Sequence, residues 1–565
     1  MYIARTISYI ARNFGTRKIN NFELMCKYPE LVQKNLFKAI IAKNQDSKFG
    51  RDHNFKGLHG YYRFRKQVPI CSYDYLRPYI YAAFNGEPNQ LTTHDPVFYA
   101  MTSGTTGTPK YIPVTRENKK AKASLLQLYF LHILKDHPTA FDGRILALVS
   151  PEGEEFSPTG VPAGSESGHG FKNAPVLIKQ LVAAPYEAFA IKDYEAKYYS
   201  LVRAAANYDV SLIYTVNPST VLILADRLGH HTERIIRDIH DGTLSEDFPI
   251  PEDMRDAFSG LTKRNEARAQ FLEAAADKNN GVLLPKHVWP NLSVICCWKG
   301  GSLKMYLDRF PEYFSKETAV RDVGFFASEM RASVPLDDVG SDGVLAIGTN
   351  CYEFYPADAP GPATGDSLLT FDELEVGKQY YIYITTSSGL YRYDMNDIIE
   401  VTGMYHKVPK IRFVQKGKGV ISFTGEKLYE HQVITAVNNA LGSSAVNNEF
   451  IAAVGCSEGR DTPQYKFLIE FSEPLSDESL KVLANRIDKE LGKTNIEYEA
   501  KRKSHRLEPL VLCAVAANEF DAYRRREVED KGRTDGQFKI LKLTKDESFL
   551  DEFKITGEYV ADAEI

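Results

Sequence analysis

The sequence predicts a two-domain α/β protein, and three observations carry that prediction. A chain of 565 residues exceeds a single core, since cores stop growing near about 250–300 residues. From Val97 to about residue 415, short β-prone apolar runs alternate with stretches of helical periodicity, the pattern of an α/β architecture with substantial sheet. Beyond Gly425 a separate compact pattern begins, with a helix from about Glu430, strands at 450–455 and 465–471 and a helix at 477–491. The boundary falls between Phe413 and Thr424, where Lys416-Gly-Lys-Gly419 reads as a hinge. The expectation is a large domain over residues 1–418 and a small one over 419–565.

Taken in order, the N-terminal stretch is helical. Ile3, Ile7, Ile10 and Phe14 space as the inner face of a surface helix, a better reading of this acid-free, basic segment than an organelle-targeting sequence. Residues 20–50 continue as helix, split by Pro29 and ended by Gly50. Val97–Met101 and Tyr111–Thr115 read as strands flanking a loop, and Thr115 can cap a long helix reaching about Lys135. A strand at Arg144–Ser150 precedes a Gly/Ser/Pro-rich stretch, 151–170, expected as a mobile surface loop with an exposed His169. Tyr186–Tyr208 reads as helix and Ser211–Val216 as strand. Asn217-Pro-Ser219 opens another helix, and Leu292–Trp298 is an apolar strand. Arg321–Glu329 reads as a strand running into a polar turn, followed by strands at 343–348, 352–355 and 380–385.

Bulk properties narrow the function classes. A formal net charge of −5 gives no electrostatic case for nucleic acid or an anionic membrane as the main partner. No run approaches a transmembrane helix. Seven scattered cysteines show no C-x-x-C or zinc spacing, which reads as free thiols in a reducing compartment and a cytoplasmic location.

The chemistry centres on Tyr99-Ala-Met-Thr-Ser-Gly-Thr-Thr-Gly-Thr-Pro-Lys110. Gly104 and Gly107 let backbone N–H groups close around an anion. Thr102, Ser103, Thr105 and Thr106 add hydroxyl donors, and Lys110 adds a point charge. The composition suits nucleotide phosphates. It is not a Walker A loop, because Pro109 precedes the lysine and Tyr111 follows it. Nor is it a serine-hydrolase elbow, since Gly-x-Ser-x-Gly spacing is missing.

Thr102–Lys110 closely resembles the phosphate loop of the adenylate-forming enzymes, which activate a carboxylate with ATP. Further segments narrow the resemblance: Phe325-Phe-Ala-Ser-Glu329, Gly389-Leu-Tyr-Arg-Tyr-Asp-Met-Asn-Asp397, Ser422–Glu430 and Gln537-Phe-Lys539. In order and spacing they resemble the auxin-responsive (Gretchen Hagen) acyl-acid amido synthetases over nearly the whole chain. The resemblance implies a firefly-luciferase-like adenylate-forming fold with a small mobile C-terminal domain. It implies an AMP-forming ligase that uses ATP and Mg²⁺ to join a carboxylic acid to an amine, with an amino acid as the expected acceptor. An acyl- or aryl-CoA ligase is the alternative.

The same resemblance implies roles for individual residues. Thr102–Gly107 and Lys110 hold phosphates, Ala327 and Ser328 line the adenine, and Glu329 binds the metal. Asp397 holds the ribose, and Lys427 and Lys539 serve the chemistry from the small domain. Two departures stand out: Met395-Asn396 replaces Val-Gly, and Gln537-Phe-Lys539 replaces Gln-Tyr-Lys.

Overall fold

Pro29 divides the N-terminal helical stretch. Helix α1 (Tyr2–Lys27) stops just before it and α2 (Pro29–Asn44) begins on it, because a proline ring lacks the N–H yet suits a first helical turn. The structure is a computed structural model. It describes all residues except 1, 59, 103–109, 150–151, 153–154, 301–302, 360–361, 418–419, 442–447, 472, 521, 524–525 and 527–542. It also leaves undescribed the side chains of 2–14, 102, 177, 194, 304–305, 415, 430–431 and 448–450. The expected inner face of the first helix therefore lies outside the described side chains. Gly50 does not end the second helix. That helix closes at Asn44, and a short one, Lys48–Asp52, runs through Gly50 because Ser47 Oγ caps it by accepting the Gly50 N–H at 2.9 Å.

The chain divides into two compact units, Met1–Thr102 with Tyr111–Val414 and, separately, Gln415–Ile565. In the first, strands β1 (Phe98–Thr102) and β2 (Lys110–Val114) lie side by side, and helix α3 (Arg116–Asp136) follows. Thr115 starts α3 as expected, its hydroxyl oxygen accepting the Asn118 N–H at 3.3 Å. Next come β3 (Arg144–Ala147), β4 (Pro162–Gly164) and helix α4 (Glu166–Lys172). The stretch 151–170 is thus not simply a surface loop. Its described part pairs β4 in parallel with β1, Tyr99 opposite Ala163, and Ser165 caps α4 on the Gly168 N–H.

The expected helix at 186–208 is interrupted. Asp193 accepts the Ala196 N–H at 2.8 Å and starts a new helix, α5 (Tyr194–Ala206). Strand β5 (Val210–Tyr214) and helix α6 (Pro218–His230) follow, the latter capped by Asn217. With β6 (Val294–Cys296) and β7 (Ala319–Arg321), strands β3 and β5 form a parallel sheet in the order β3-β5-β6-β7. Helices cover it around a core that includes Leu146, Ile213, Leu222 and Ile295.

Strand β7 stops at Arg321, short of the expected run to Glu329. The next residue, Asp322, accepts the Lys299 and Gly324 N–H groups at 2.7 Å each, and Gly324 turns the chain at φ +83°. A side chain at Gly324 would meet the Ser333 carbonyl and the Pro335 ring at under 3 Å.

Strands β8 (Gly343–Leu345), β9 (Asn350–Pro356), β10 (Gln379–Thr386), β11 (Tyr393–Tyr405) and β12 (Val408–Lys416) form an antiparallel sheet. Its order is β9-β10-β11-β12-β8, with the short strand Ser333–Val334 at the edge. Ile112, Tyr129, Val344 and Ile382 belong to the core this sheet shares with β2 and α3.

In the second unit, helix α7 (Glu430–Leu441), strands β13 (Asn448–Cys456) and β14 (Gln464–Phe471), helices α8 (Asp477–Thr494) and α9 (Ile496–Lys503), and strands β15 (Val511–Val515) and β16 (Ile555–Val560) follow in order. The sheet runs Leu543–Thr544, β13, β14, β15, β16. Val433, Val437, Phe467, Ile487 and Leu512 fill the core on its helical side. Among the described residues no helix is long and apolar enough to cross a membrane, and the seven cysteines are free and buried.

Candidate active site

Ser103, Gly104, Thr105, Thr106 and Gly107 lie outside the described residues, as does the Thr102 side chain. The frame around that loop is described. Strand β1 delivers the backbone to Thr102 and β2 receives it at Lys110. The Tyr111 N–H donates to the Tyr73 hydroxyl at 2.9 Å, and the Tyr111 hydroxyl donates to Glu155 at 2.5 Å. At the start of α3, the Thr115 N–H donates to Ser388 Oγ at 3.3 Å, tying this frame to the Ser387–Gly389 turn. Gly389 must be glycine: it sits at φ +88°, and a Cβ there would stand 2.5 Å from the Leu91 Cβ.

Ala327, Ser328 and Glu329 occupy the end of a tight hairpin. Phe326 pairs with Arg331, and Ala327 and Met330 exchange backbone hydrogen bonds at 2.7 and 3.2 Å, leaving Ser328 and Glu329 as the connecting pair. Arg331 braces the hairpin through the Val323 carbonyl at 2.9 Å and lies over the Phe326 ring at 4.5 Å. Trp298 also packs on Phe326 and donates to the Gly324 carbonyl at 2.8 Å. Glu329 is half-buried. Among the described residues no three His, Cys, Asp or Glu side chains gather into a metal-binding group.

Asp397 is buried on β11 at 1% exposure. Its placement comes from an irregularity in the ladder. Tyr383 pairs with Asp394 and Tyr381 with Ile398, so Met395, Asn396 and Asp397 oppose a single residue, Ile382. Such a bulge redirects side chains and is a device of active sites. Asn396 carries the left-handed backbone, φ +49°, and the Asp394 carboxylate accepts its N–H at 2.8 Å. This fits the departure noted in the sequence: asparagine is among the non-glycine residues that best tolerate this conformation, so Asn396 can stand where the Val-Gly pair has its glycine.

His169 departs from the sequence reading. It is not exposed on a loop: its ring stacks on Phe98 at 4.2 Å, and Nδ1 lies 2.5 Å from Glu152, which also pairs with Lys172. Its burial follows from the β1–β4 pairing, which sets α4 against Phe98. Sequence reasoning also missed Lys122 of α3, which donates to the Ser328 carbonyl at 2.6 Å, and Trp298, which packs on Phe326. The spacing of Lys119 with Lys122, and of Glu166 with His169, is a helical signal, but it becomes readable only once 166–172 is known to be helix.

In the second unit, Lys427 sits at φ +44° on a loop organised by Glu426. The Glu426 carboxylate is fully buried and accepts the Phe423 and Thr424 N–H groups at 2.8 Å each, with the Tyr465 hydroxyl as a further donor. Asn495 holds the Glu426 carbonyl at 2.8 Å. Lys545 donates to the Ser422 carbonyl at 2.8 Å and lies over the Phe423 ring. Lys539 lies outside the described residues.

Comparison with known proteins agrees along the chain. The GH3 family N-terminal domain matches residues 18–319, the GH3 family central domain 343–416 and the GH3 family C-terminal domain 431–548. The indole-3-acetic acid-amido synthetase GH3.2 of Arabidopsis thaliana is 25% identical over 457 residues, covering 77% of this chain and 83% of that protein. The jasmonoyl–L-amino acid synthetase GH3.5 of Oryza sativa subsp. japonica is 24% identical over 531 residues, covering 89% and 90%. Among solved structures, a GH3.15 acyl acid amido synthetase shares the fold with a TM-score of 0.63 at 20% identity, covering 97% of each chain. With GH3 family domains matched between residues 18 and 548, the chain belongs to the GH3 family, and it shares the fold of the GH3.15 acyl acid amido synthetase.

Proposed function

We propose that the protein activates a carboxylic acid with ATP as an acyl-adenylate and passes the acyl group to an amino acid, releasing AMP and forming an amide. The observation that supports this reading is the bulge at 395–397, where an asparagine in a glycine conformation precedes the buried Asp397, the residue assigned here to the ribose. A carboxylate with two acceptor oxygens suits the two ribose hydroxyls. In this reading residues 1–418 bind ATP and the acid, and residues 419–565 form the small lid domain. Thr102–Gly107 and Lys110 hold the phosphates while Ala327 and Ser328 line the adenine.

Glu329 is the metal-facing carboxylate. Mg²⁺ takes one or two carboxylates and completes its shell with water and phosphate oxygens, so a single half-buried glutamate on a hairpin tip fits it. When bound, Mg²⁺ would neutralise charge on the phosphate oxygens as pyrophosphate leaves. Lys427 and Lys539 serve the chemical steps. The free, buried cysteines support a cytoplasmic setting.

An acid-by-acceptor screen tests the reading: pyrophosphate release with panels of carboxylic acids, then product mass with amino acids or CoA as acceptor. Acid-dependent pyrophosphate release followed by amide product is expected. Thioester product with CoA and none with amino acids would overturn the amide assignment.

A further inference from the structure

Helices α3 and α4 meet across two polar rungs. Lys119 and Lys122 stand three residues apart on α3, and Glu166 and His169 stand three apart on α4, so each pair shares a helical face. Lys119 Nζ lies 3.1 Å from His169 Nε2, and Lys122 Nζ donates to both Glu166 oxygens at 3.0 and 2.8 Å. The second rung continues, because Lys122 Nζ also donates to the Ser328 carbonyl at 2.6 Å. A lysine ammonium has three N–H donors, and these three acceptors satisfy it. The Lys122 side chain is 14% exposed, so water competes little for it.

The Ser328 carbonyl belongs to the tip of the 327–330 hairpin. A two-residue connection of this kind matches strand twist best with left-handed backbone. Neither Ser328 nor Glu329 is among the described residues with positive φ. The tip therefore lacks the left-handed turn geometry that best matches strand twist. Among the described residues, the side chain that bonds the tip's backbone is Lys122.

We infer that Lys122, held in turn by Glu166, is a positioning residue for adenylation. It fixes the Ser328–Glu329 tip, and with it the place where the Glu329 carboxylate meets a divalent cation on the nucleotide phosphates. The inference rests on the proposed metal role of Glu329. Lys122 acts through that residue and not on the substrate.

The test uses the full-length enzyme with Lys122→Met, Lys122→Arg and Glu329→Gln. Two quantities are measured: amide hydrogen exchange over 325–332 without ligand, and the Mg²⁺ dependence of acid-dependent pyrophosphate release. Lys122→Met keeps the alkyl stem and deletes the donors. It should lose protection at 325–332 while β10 and β11 keep theirs. It should also raise the half-saturating Mg²⁺ by about 10-fold, the low end of what second-layer partners contribute to metal affinity. The KM of the acid should stay within about twofold of wild type, since uniform acid binding is untouched. Lys122→Arg should recover most of both effects. Unchanged exchange in Lys122→Met overturns the inference. So does a normal Mg²⁺ response in Lys122→Met when Glu329→Gln shows a shifted one. If Glu329→Gln itself responds normally to Mg²⁺, the metal role fails, and a loss of protection in Lys122→Met would then mark a purely structural clamp.

Discussion

Arg392 and Glu353 form a bidentate ion pair out of reach of solvent, Nε to Oε2 and Nη2 to Oε1, each at 2.8 Å. The remaining guanidinium N–H groups go to the Arg65, Val68 and Gly365 carbonyls at 2.8–2.9 Å. With every donor engaged, the arginine of Gly389-Leu-Tyr-Arg-Tyr is an architectural residue that ties the residue just before β11 to β9, the 65–68 segment and Gly365. Removing its charge partner leaves a buried cation uncompensated, which typically costs about 3–5 kcal/mol. Glu353→Gln should therefore lower the urea midpoint sharply while the KM for ATP of the folded fraction stays near wild type. A large KM change with normal stability would place Arg392 in nucleotide binding instead.

Asn396 offers a test of the bulge. Glycine there should be tolerated, because the backbone is already left-handed. A β-branched residue should not be: forcing Val into that region costs more than the roughly 1–2 kcal/mol typical of an L-residue in left-handed backbone. The expected order is Asn396→Gly close to wild type in ATP affinity and Asn396→Val weak, with Asp397→Asn also weak because an amide replaces one acceptor oxygen. Calorimetric titration with ATP reads all three. Equal affinity across the set would detach the bulge from the nucleotide.

Asp322 makes stability depend on pH. Burial raises its carboxyl from 3.8 to about 7, against the lowering effect of the Lys299 and Gly324 N–H groups and the Lys299 charge, with Asp342 adding to the rise. A raised folded-state pKa means that between about pH 4 and 7 the folded protein keeps a proton that the unfolded chain releases. Stability from this group is full below the unfolded pKa, falls through that window and is level above it. At about 1.4 kcal/mol per unit, the change amounts to a few kcal/mol at most. Asp322→Asn cannot ionise, but it turns an amide donor toward a backbone N–H. It should be clearly less stable than wild type at pH 5, with the gap narrowing by pH 8. Urea unfolding at the two pH values checks this, and a constant gap would contradict it.

What the sequence disclosed and what it withheld follow from the range of the interactions involved. Pro29, Thr115 and Asn217 act on their own helices, so their elements were legible from a few residues. The apolar alternation of Val323 and Phe325 resembles a strand, but Asp322 binds the Lys299 N–H far away in sequence and bends the chain first. His169 looked exposed because nothing near it in sequence announces Phe98, which reaches it through the β1–β4 pairing. The ribose role proposed for Asp397 comes from family resemblance; the bulge that gives Asn396 its left-handed backbone is a property of the β10–β11 register.

Lys427 is where stability and chemistry should separate. It holds a left-handed backbone, φ +44°, on a loop whose neighbours are locked by Glu426, Asn495 and Lys545. A non-glycine residue kept in that conformation by its surroundings costs of order 1–3 kcal/mol, and such sites cluster where function requires them. Lys427→Gly removes that cost and adds back about 0.4–1 kcal/mol of unfolded-chain entropy. The melting temperature should therefore hold or rise. If the ammonium stabilises charge in only one half-reaction, that step should slow while the other is spared. Acid-dependent ATP–pyrophosphate exchange reads the first step, and amide yield from preformed acyl-adenylate reads the second. A variant that melts higher yet fails in one assay would show that the loop is kept strained to present the lysine. Wild-type rates in both assays would return Lys427 to the ordinary surface.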